Sequence, residues 1–357
     1  MPMPWKWLAL AVPASLLVAC SDQPTAPNPA QTTELSGARA SLGAGRRITI
    51  RDLGTLGGAT SEARAINDKG WVAGWSDVVQ AGATHAFLWQ EGRMRDLGTL
   101  GGTSSQALGI NEDGEVVGTS QVAGDAAWHA FRWSHGRMAD LGGLGGSYAQ
   151  GFDVNDAGLV AGGSLVTGDA AFHASLWRRG GVRDLGTLGG SFSYSNGING
   201  PGAVVGGATT AGDAAQHAFL WRDGVMHDLG TLGGNSAGAT HVNGAGEVVG
   251  GSTLPGEAVT HAFLWSRGRM TDLEVLGGDF SYAQGINDRG QVVGGTTLAS
   301  DTAFHAVIWE GGRIIDLGIL PGGLRDSYGQ AINDRGEVVG GALTATGAEH
   351  ATLWTTH

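Results

Sequence analysis

Hydrophobic residues in this chain fall in short runs without helical spacing, and the same runs return in the same order along most of its length. One stretch reads Ser105-Gln-Ala-Leu-Gly-Ile-Asn111, then Glu115-Val-Val-Gly118, His129-Ala-Phe-Arg-Trp133 and Arg137-Met-Ala-Asp-Leu141. Each run is rich in Val, Ile, Phe or Trp and bounded by Gly, Asn or Asp, which predicts four consecutive β-strands. Asn111-Glu-Asp-Gly114 and Trp133-Ser-His-Gly136 predict tight hairpins, because an Asx side chain folds onto its own backbone and Gly accepts positive φ. The connection after each fourth strand is longer and Gly-rich, as a crossover to the next unit would be.

Asp-Leu dipeptides at Asp52, Asp96, Asp140, Asp184, Asp228, Asp272 and Asp316 fix the period at 44 residues. A unit this small cannot bury its own apolar face and must stack on copies of itself. A parallel β-helix would use shorter coils and helical repeats would need helical periodicity. The expected fold is therefore all-β, a seven-bladed β-propeller of four-stranded blades. The repeats stop at Thr352-Leu-Trp354 without a fourth strand, while Ile48-Thr-Ile-Arg-Asp-Leu53 carries that strand's pattern. Strand 48–53 is expected to pair with strand 350–354 and close the ring, leaving no open sheet edge. Small residues at Ala63, Ala107, Gly151, Ser195, Ala239, Ala283 and Gly329 mark the Ser-x-Ala-x-x-Ile-Asn run as the innermost strand, where crowding about an axis demands them.

Composition narrows the function classes. Of 357 residues 65 are Gly, but they recur in register and so mark turns, not low complexity. The net charge of −12 opposes a phosphate-neutralising surface, which makes nucleic acid an unsuitable partner. A lone cysteine, Cys20, excludes an intramolecular disulfide and cysteine-rich zinc sites.

The first residues have one positive side chain, Lys6, and an apolar stretch from Leu8 to Val18 too short to span a bilayer. Leu17-Val18-Ala19-Cys20 resembles the bacterial lipobox. The resemblance implies that residues 1–19 are a lipoprotein signal peptide and that Cys20 is lipidated, tying the protein to a membrane through its acyl chains. Ser21 after the cysteine is similar to sequences sorted to the outer membrane, so an exported protein of the cell envelope, at the outer membrane or cell surface, is expected. Residues 20–46 are polar and rich in Pro, Ala and Gly and are expected to be a flexible tether, with residues 47–357 forming the propeller.

His-Ala-Phe at His85, His129, His217 and His261, with Asp-Leu-Gly-x-Leu-Gly-Gly and Ile-Asn-x-x-Gly-x-Val-Val-Gly, resembles the HAF-repeat family of bacterial extracellular proteins over nearly everything after residue 47. The departures are local: His173-Ala-Ser, His305-Ala-Val, His350-Ala-Thr, Glu274 in place of Gly, and Pro321-Gly-Gly in the last unit. Kelch repeats are similar in their Gly-Gly doublet and late Trp. The family implies export and carries no chemistry to transfer.

Histidines in register invite a metal ring, yet strand alternation sets His85 in line with Phe87 and Trp89, which favours a hydrogen-bonded ring packed between blades. The Asp-Leu aspartates stand before Gly, except where Glu274 replaces it, and suit backbone capping. More informative are Asp125, Asp169, Asp213, Glu257 and Asp301, which occupy one phase of five consecutive units. They are expected to ring the face that carries the long crossovers, together with Tyr148, Phe192, Tyr194, Phe280, Tyr282 and Tyr328, a set suited to sugars or a protein. The first expectation is a non-catalytic, monomeric lipoprotein binding an extracellular protein or glycan there. No cofactor is expected, calcium at the acidic ring being the exception left open. The alternative is a hydrolase or lyase in the central channel, with Arg64, Asp153, His241 and Gln284 on the innermost strands as acid, base and anion-stabilising candidates. No individual catalytic residue can be named, and a structural spacer without ligand is the third reading.

Overall fold

The computed structural model describes residues 32–34, 47–256, 258–299 and 303–357. Cys20, the signal segment, most of the expected tether, Glu257 and Asp301 lie outside these residues.

Each unit folds as an antiparallel meander. In the second, Gly101–Ile110 pairs with Val116–Val122, which pairs with Trp128–Ser134, which pairs with Arg137–Gly142. The same order recurs in the sheets that begin at Gly57–Ile66, Gly145–Val154, Gly189–Ile198, Ala237–Val242 and Gly277–Ile286. The last unit supplies Ser327–Ile332, Val338–Leu343 and Glu349–Thr356. In its fourth place lies Ile48–Asp52, antiparallel to Glu349–Thr356, with Ile48 opposite Thr356 and Asp52 opposite Thr352. Thr32–Glu34 pairs in turn with Ile48–Asp52, so a piece of the expected tether runs as a strand on that edge.

Hydrophobic burial lies between neighbouring sheets, as alternation requires of strands covered on both faces. One cluster sets Ala73, Ala86 and Leu88 of the first unit against Ala107, Val116 and Phe131 of the second. Another sets Val72, Phe87 and Trp89 of the first unit against Val339 and Ala351 of the last. The phenylalanine of the His-Ala-Phe motif is fully buried at Phe87, Phe131, Phe219 and Phe263. Its histidine stays partly exposed, and among the described residues seven such imidazoles hold their Nδ1 2.7 to 2.9 Å from the aspartate of an Asp-Leu dipeptide. The aspartate's other task is to accept the N–H two residues on, at 2.7 to 2.8 Å, and in the fifth unit Glu274 takes that glycine position at φ 62°. One of these pairs, His350 with Asp52, joins the two ends of the described chain, and its hydrogen bond raises the His350 pKa.

The asparagine that ends each first strand links the units. Asn67 Nδ2 donates to the Asn111 carbonyl, Asn111 to Asn155, Asn155 to Asn199, Asn199 to Asn243, Asn243 to Asn287 and Asn287 to Asn333, at 2.9 to 3.2 Å. Asn333 then donates back to Asn67 at 3.0 Å. All seven side chains are buried, and each Oδ1 also accepts amides of its own hairpin, as Asn155 does from Leu159 at 3.0 Å. Asn155→Ala would leave the Leu159 amide without a partner and take one of two donors from the Asn199 carbonyl, which would keep the Gly202 amide. It is expected to lower stability by about 1–3 kcal/mol, and a change under about 0.5 kcal/mol in urea unfolding would remove the asparagines from the list of stabilising contacts.

Candidate functional site

The first strands surround a cavity of about 520 Å³. They do not alternate regularly along it. Towards its end each slips register against its second strand, between Ala63 and Ala65, Ala107 and Gly109, Gly151 and Asp153, Ser195 and Gly197, Ala239 and His241, Ala283 and Gly285, and Gly329 and Ala331. The skipped residues are Arg64, Leu108, Phe152, Asn196, Thr240, Gln284 and Gln330, and every one lines the cavity. A β-bulge re-aims a side chain in this way, and here it presents seven positions of one repeat that carry six different residue types.

The glycine of each Val-Val-Gly or Val-Ala-Gly makes the bulge fit. A Cβ on Gly206 would lie 1.9 Å from the Tyr194 carbonyl oxygen, and one on Gly118 1.9 Å from that of Gln106. Gly74, Gly162, Gly250, Gly294 and Gly340 meet the equivalent carbonyls at 1.9 to 2.0 Å. Backbone approach this close admits no side chain.

Two polar clusters stand on the cavity wall. In the first, Glu62 accepts from Arg64 at 2.8 Å and Gln330 at 2.9 Å through Oε1 and from the Trp75 indole at 3.0 Å through Oε2. Beside it Tyr328 donates to Glu349, whose carboxyl is pushed up to about 8 by burial and by the nearby Glu62 charge, against the opposing effect of Arg64. Tyr282 faces the same charges and is 6 % exposed, its hydroxyl buried without a partner. In the second cluster Asp153 accepts the Val154 and Ile198 amides at 2.8 and 2.9 Å, and His241 Nε2 stands 3.8 Å from Asp153 Oδ2. His241 Nδ1 is buried without a partner.

All four channel residues named from sequence, Arg64, Asp153, His241 and Gln284, line this one cavity, as do Tyr194, Tyr282 and Tyr328. Tyr148 stands behind it, donating to the lining residue Gln150 at 2.7 Å, and burial pushes its pKa up to about 12. The aromatics form two groups, Tyr148–Phe172–Phe192–Tyr194 and Phe280–Tyr282–Phe304, with ring centroids 5.4 to 6.2 Å apart. Sequence reasoning missed Glu62, Glu349, Trp75, Asn196, Thr240 and Gln330. Asn196, Thr240 and Gln330 share the phase of Arg64 and Gln284, so comparing that phase across the units would have found them.

The loop carboxylates sit elsewhere and are occupied. Asp125 accepts the Thr103 amide and hydroxyl at 2.7 and 2.6 Å, and Asp169 and Asp213 do the same with Ser147 and Ser191 at 2.7 to 2.9 Å. The Thr103 hydroxyl and amide hold Asp125 below the usual carboxylate range. Each of the three ends a single helical turn at φ 54 to 55°, tying it to the neighbouring crossover.

No protein-family model matches the chain, and no curated protein matches it. Among solved structures, the β-propeller domain of the Trilobed protease from Pyrococcus furiosus, described as having an open velcro topology, is similar with TM-score 0.57 and 12% identity over 84% of this chain and 95% of its own. A putative TolB from Agrobacterium tumefaciens has TM-score 0.47 at 12% identity, covering 74% of this chain and 94% of its own. A gluconolactonase from Xanthomonas campestris has TM-score 0.46 at 13% identity, covering 96% and 99%. The chain is an all-β protein with the fold of the β-propellers.

Two variants probe this wall. Gly206→Ala should destabilise by about 3 kcal/mol, since overpacking against backbone has no side chain to displace, and wild-type thermal unfolding would show that the bulge tolerates a Cβ. Glu349 has a folded pKa above its ordinary 4.5, so its contribution to stability is complete below pH 4.5 and is lost as pH rises through about 8. Glu349→Gln should remove that loss and leave the variant the more stable protein at pH 9; parallel pH–stability curves would contradict the shift.

Proposed function

We propose that this chain is an exported, lipid-anchored propeller of the HAF-repeat kind that binds a small extracellular ligand in its axial cavity. The observation that carries the reading is the row of bulges, which sets the residues that differ between units around one space of ligand size. Seven blades and a ring completed by Ile48–Asp52 are part of the proposal. They are supported by the seven meanders, by the asparagine bonds that return to Asn67 and by the pairing with Glu349–Thr356. The anchor rests on Leu17-Val18-Ala19-Cys20 alone. Binding is moved from the loop face to the cavity because Asp125, Asp169 and Asp213 already use both oxygens on neighbouring loops.

A hydrolase or lyase in the same cavity is the second reading. It is favoured by Glu349, whose carboxyl is pushed up to about 8 by burial, with His241 and Asp153 on another part of the wall.

Equilibrium dialysis of the full chain against the small-molecule fraction of a bacterial envelope extract, read by mass spectrometry, separates these readings. The wild type should retain a compound at least about tenfold over Gln284→Trp, whose indole would project into the cavity and narrow it. Equal retention would remove the cavity, no retention would leave a spacer, and conversion of the retained compound would favour the enzyme. For the anchor, Cys20→Ser should abolish incorporation of labelled palmitate and move the protein to the soluble fraction; membrane association unchanged by the substitution would refute lipidation.

A further inference from the structure

Every formally charged group on the cavity wall already has a partner within the protein. Glu62 is held by Arg64, Gln330 and Trp75. Asp153 is held by two backbone amides, with His241 close by. Glu349, which faces Glu62, Arg64, Tyr282 and Tyr328, takes a hydrogen bond from Tyr328, and burial pushes its carboxyl towards the neutral form. Other groups are left for an occupant. They are the Gln284 amide and the rings of Phe192 and Tyr194, with the Tyr282 hydroxyl and His241 Nδ1 buried and unpartnered on residues that line the cavity.

We propose that the cavity takes a neutral, polyhydroxylated ligand of the saccharide class, its hydroxyls meeting Tyr282, His241 and Gln284 and its C–H faces packing on Phe192 and Tyr194. The inference rests on the reading of the cavity as the ligand site. An anion would find its one guanidinium, Arg64, paired with Glu62, and a cation would find each carboxyl either hydrogen-bonded by donors or pushed by burial towards its neutral form. Either charge would lose water without gaining a free counterion. A sugar hydroxyl both donates and accepts, so it satisfies a buried phenol and an imidazole nitrogen without introducing charge.

Tyr282 supplies the test. Its ring stacks on Phe304 with centroids 5.4 Å apart, and its hydroxyl bonds nothing in the protein. Tyr282→Phe therefore keeps the packing and removes only the group reserved for the ligand. The thermal midpoint should stay level or rise, while a hydroxyl with a purely structural role would lower it. Calorimetric titration of the full chain would use maltotriose, cellotriose and chitobiose as neutral probes, trigalacturonate as the anion and choline as the cation. At least one neutral probe should bind at least about tenfold more tightly than either charged one, and Tyr282→Phe should lose about tenfold of that affinity. Tighter binding of trigalacturonate or choline that Tyr282→Phe weakens would overturn the neutral-ligand inference and keep the cavity as the site. Saccharide binding indifferent to Tyr282→Phe would overturn both, and so would the absence of binding by all five probes.

Discussion

In every unit a carbonyl oxygen of the first strand presses into the space where a second-strand glycine has no side chain. At Gly206 and Gly340 a Cβ would stand 1.9 Å from that oxygen. This contact lets the two strands stay paired through the bulge, and the bulge turns one residue of each first strand towards the axis. Without it, regular alternation would carry that residue to a sheet face packed against the next unit. The cavity's chemistry, from Arg64 to Gln330, depends on a glycine whose own contribution is the absence of atoms.

The residues that recur and the residues that vary do different work. Asp-Leu, the His-Ala-Phe histidine and the hairpin asparagine each answer a need present in every unit: capping a crossover, holding the outer strand, or tying one hairpin to the next. Because the need is identical, so is the residue. The axis makes no such demand. A bulged side chain there meets open space, and Leu108, Phe152, Asn196 and Thr240 show that many shapes are accepted. Variation concentrated at one phase of a repeat is where a repeated scaffold can acquire a single, asymmetric site.

Electrostatics separates the two acidic populations. The loop aspartates are exposed and lie below their ordinary pKa because amides and hydroxyls stabilise the charged form. Glu349 moves the other way, since burial beside Glu62 penalises its charge more than Arg64 relieves it. The described loop aspartates thus carry their charge on the outside, while the cavity presents a wall whose charges are paired or hydrogen-bonded.

The strand pattern, the hairpins and the period were legible in the chain because they follow from local rules: β-branched and aromatic runs, Asx turns, and glycine at positive φ. The pattern of Ile48–Asp52 even marked the place it takes beside Glu349–Thr356. Arg64, Asp153, His241 and Gln284 were recognisable as polar residues on the innermost strand, yet strict alternation puts Arg64 and Asp153 on opposite faces of their strands. Only the folded sheets decided which residues face the axis, because a bulge is a mismatch between two strands and has no signature in either one alone. Glu62 and Glu349, 287 residues apart in sequence, meet for the same reason: proximity between the first unit and the last is a property of the ring of contacts that returns to Asn67.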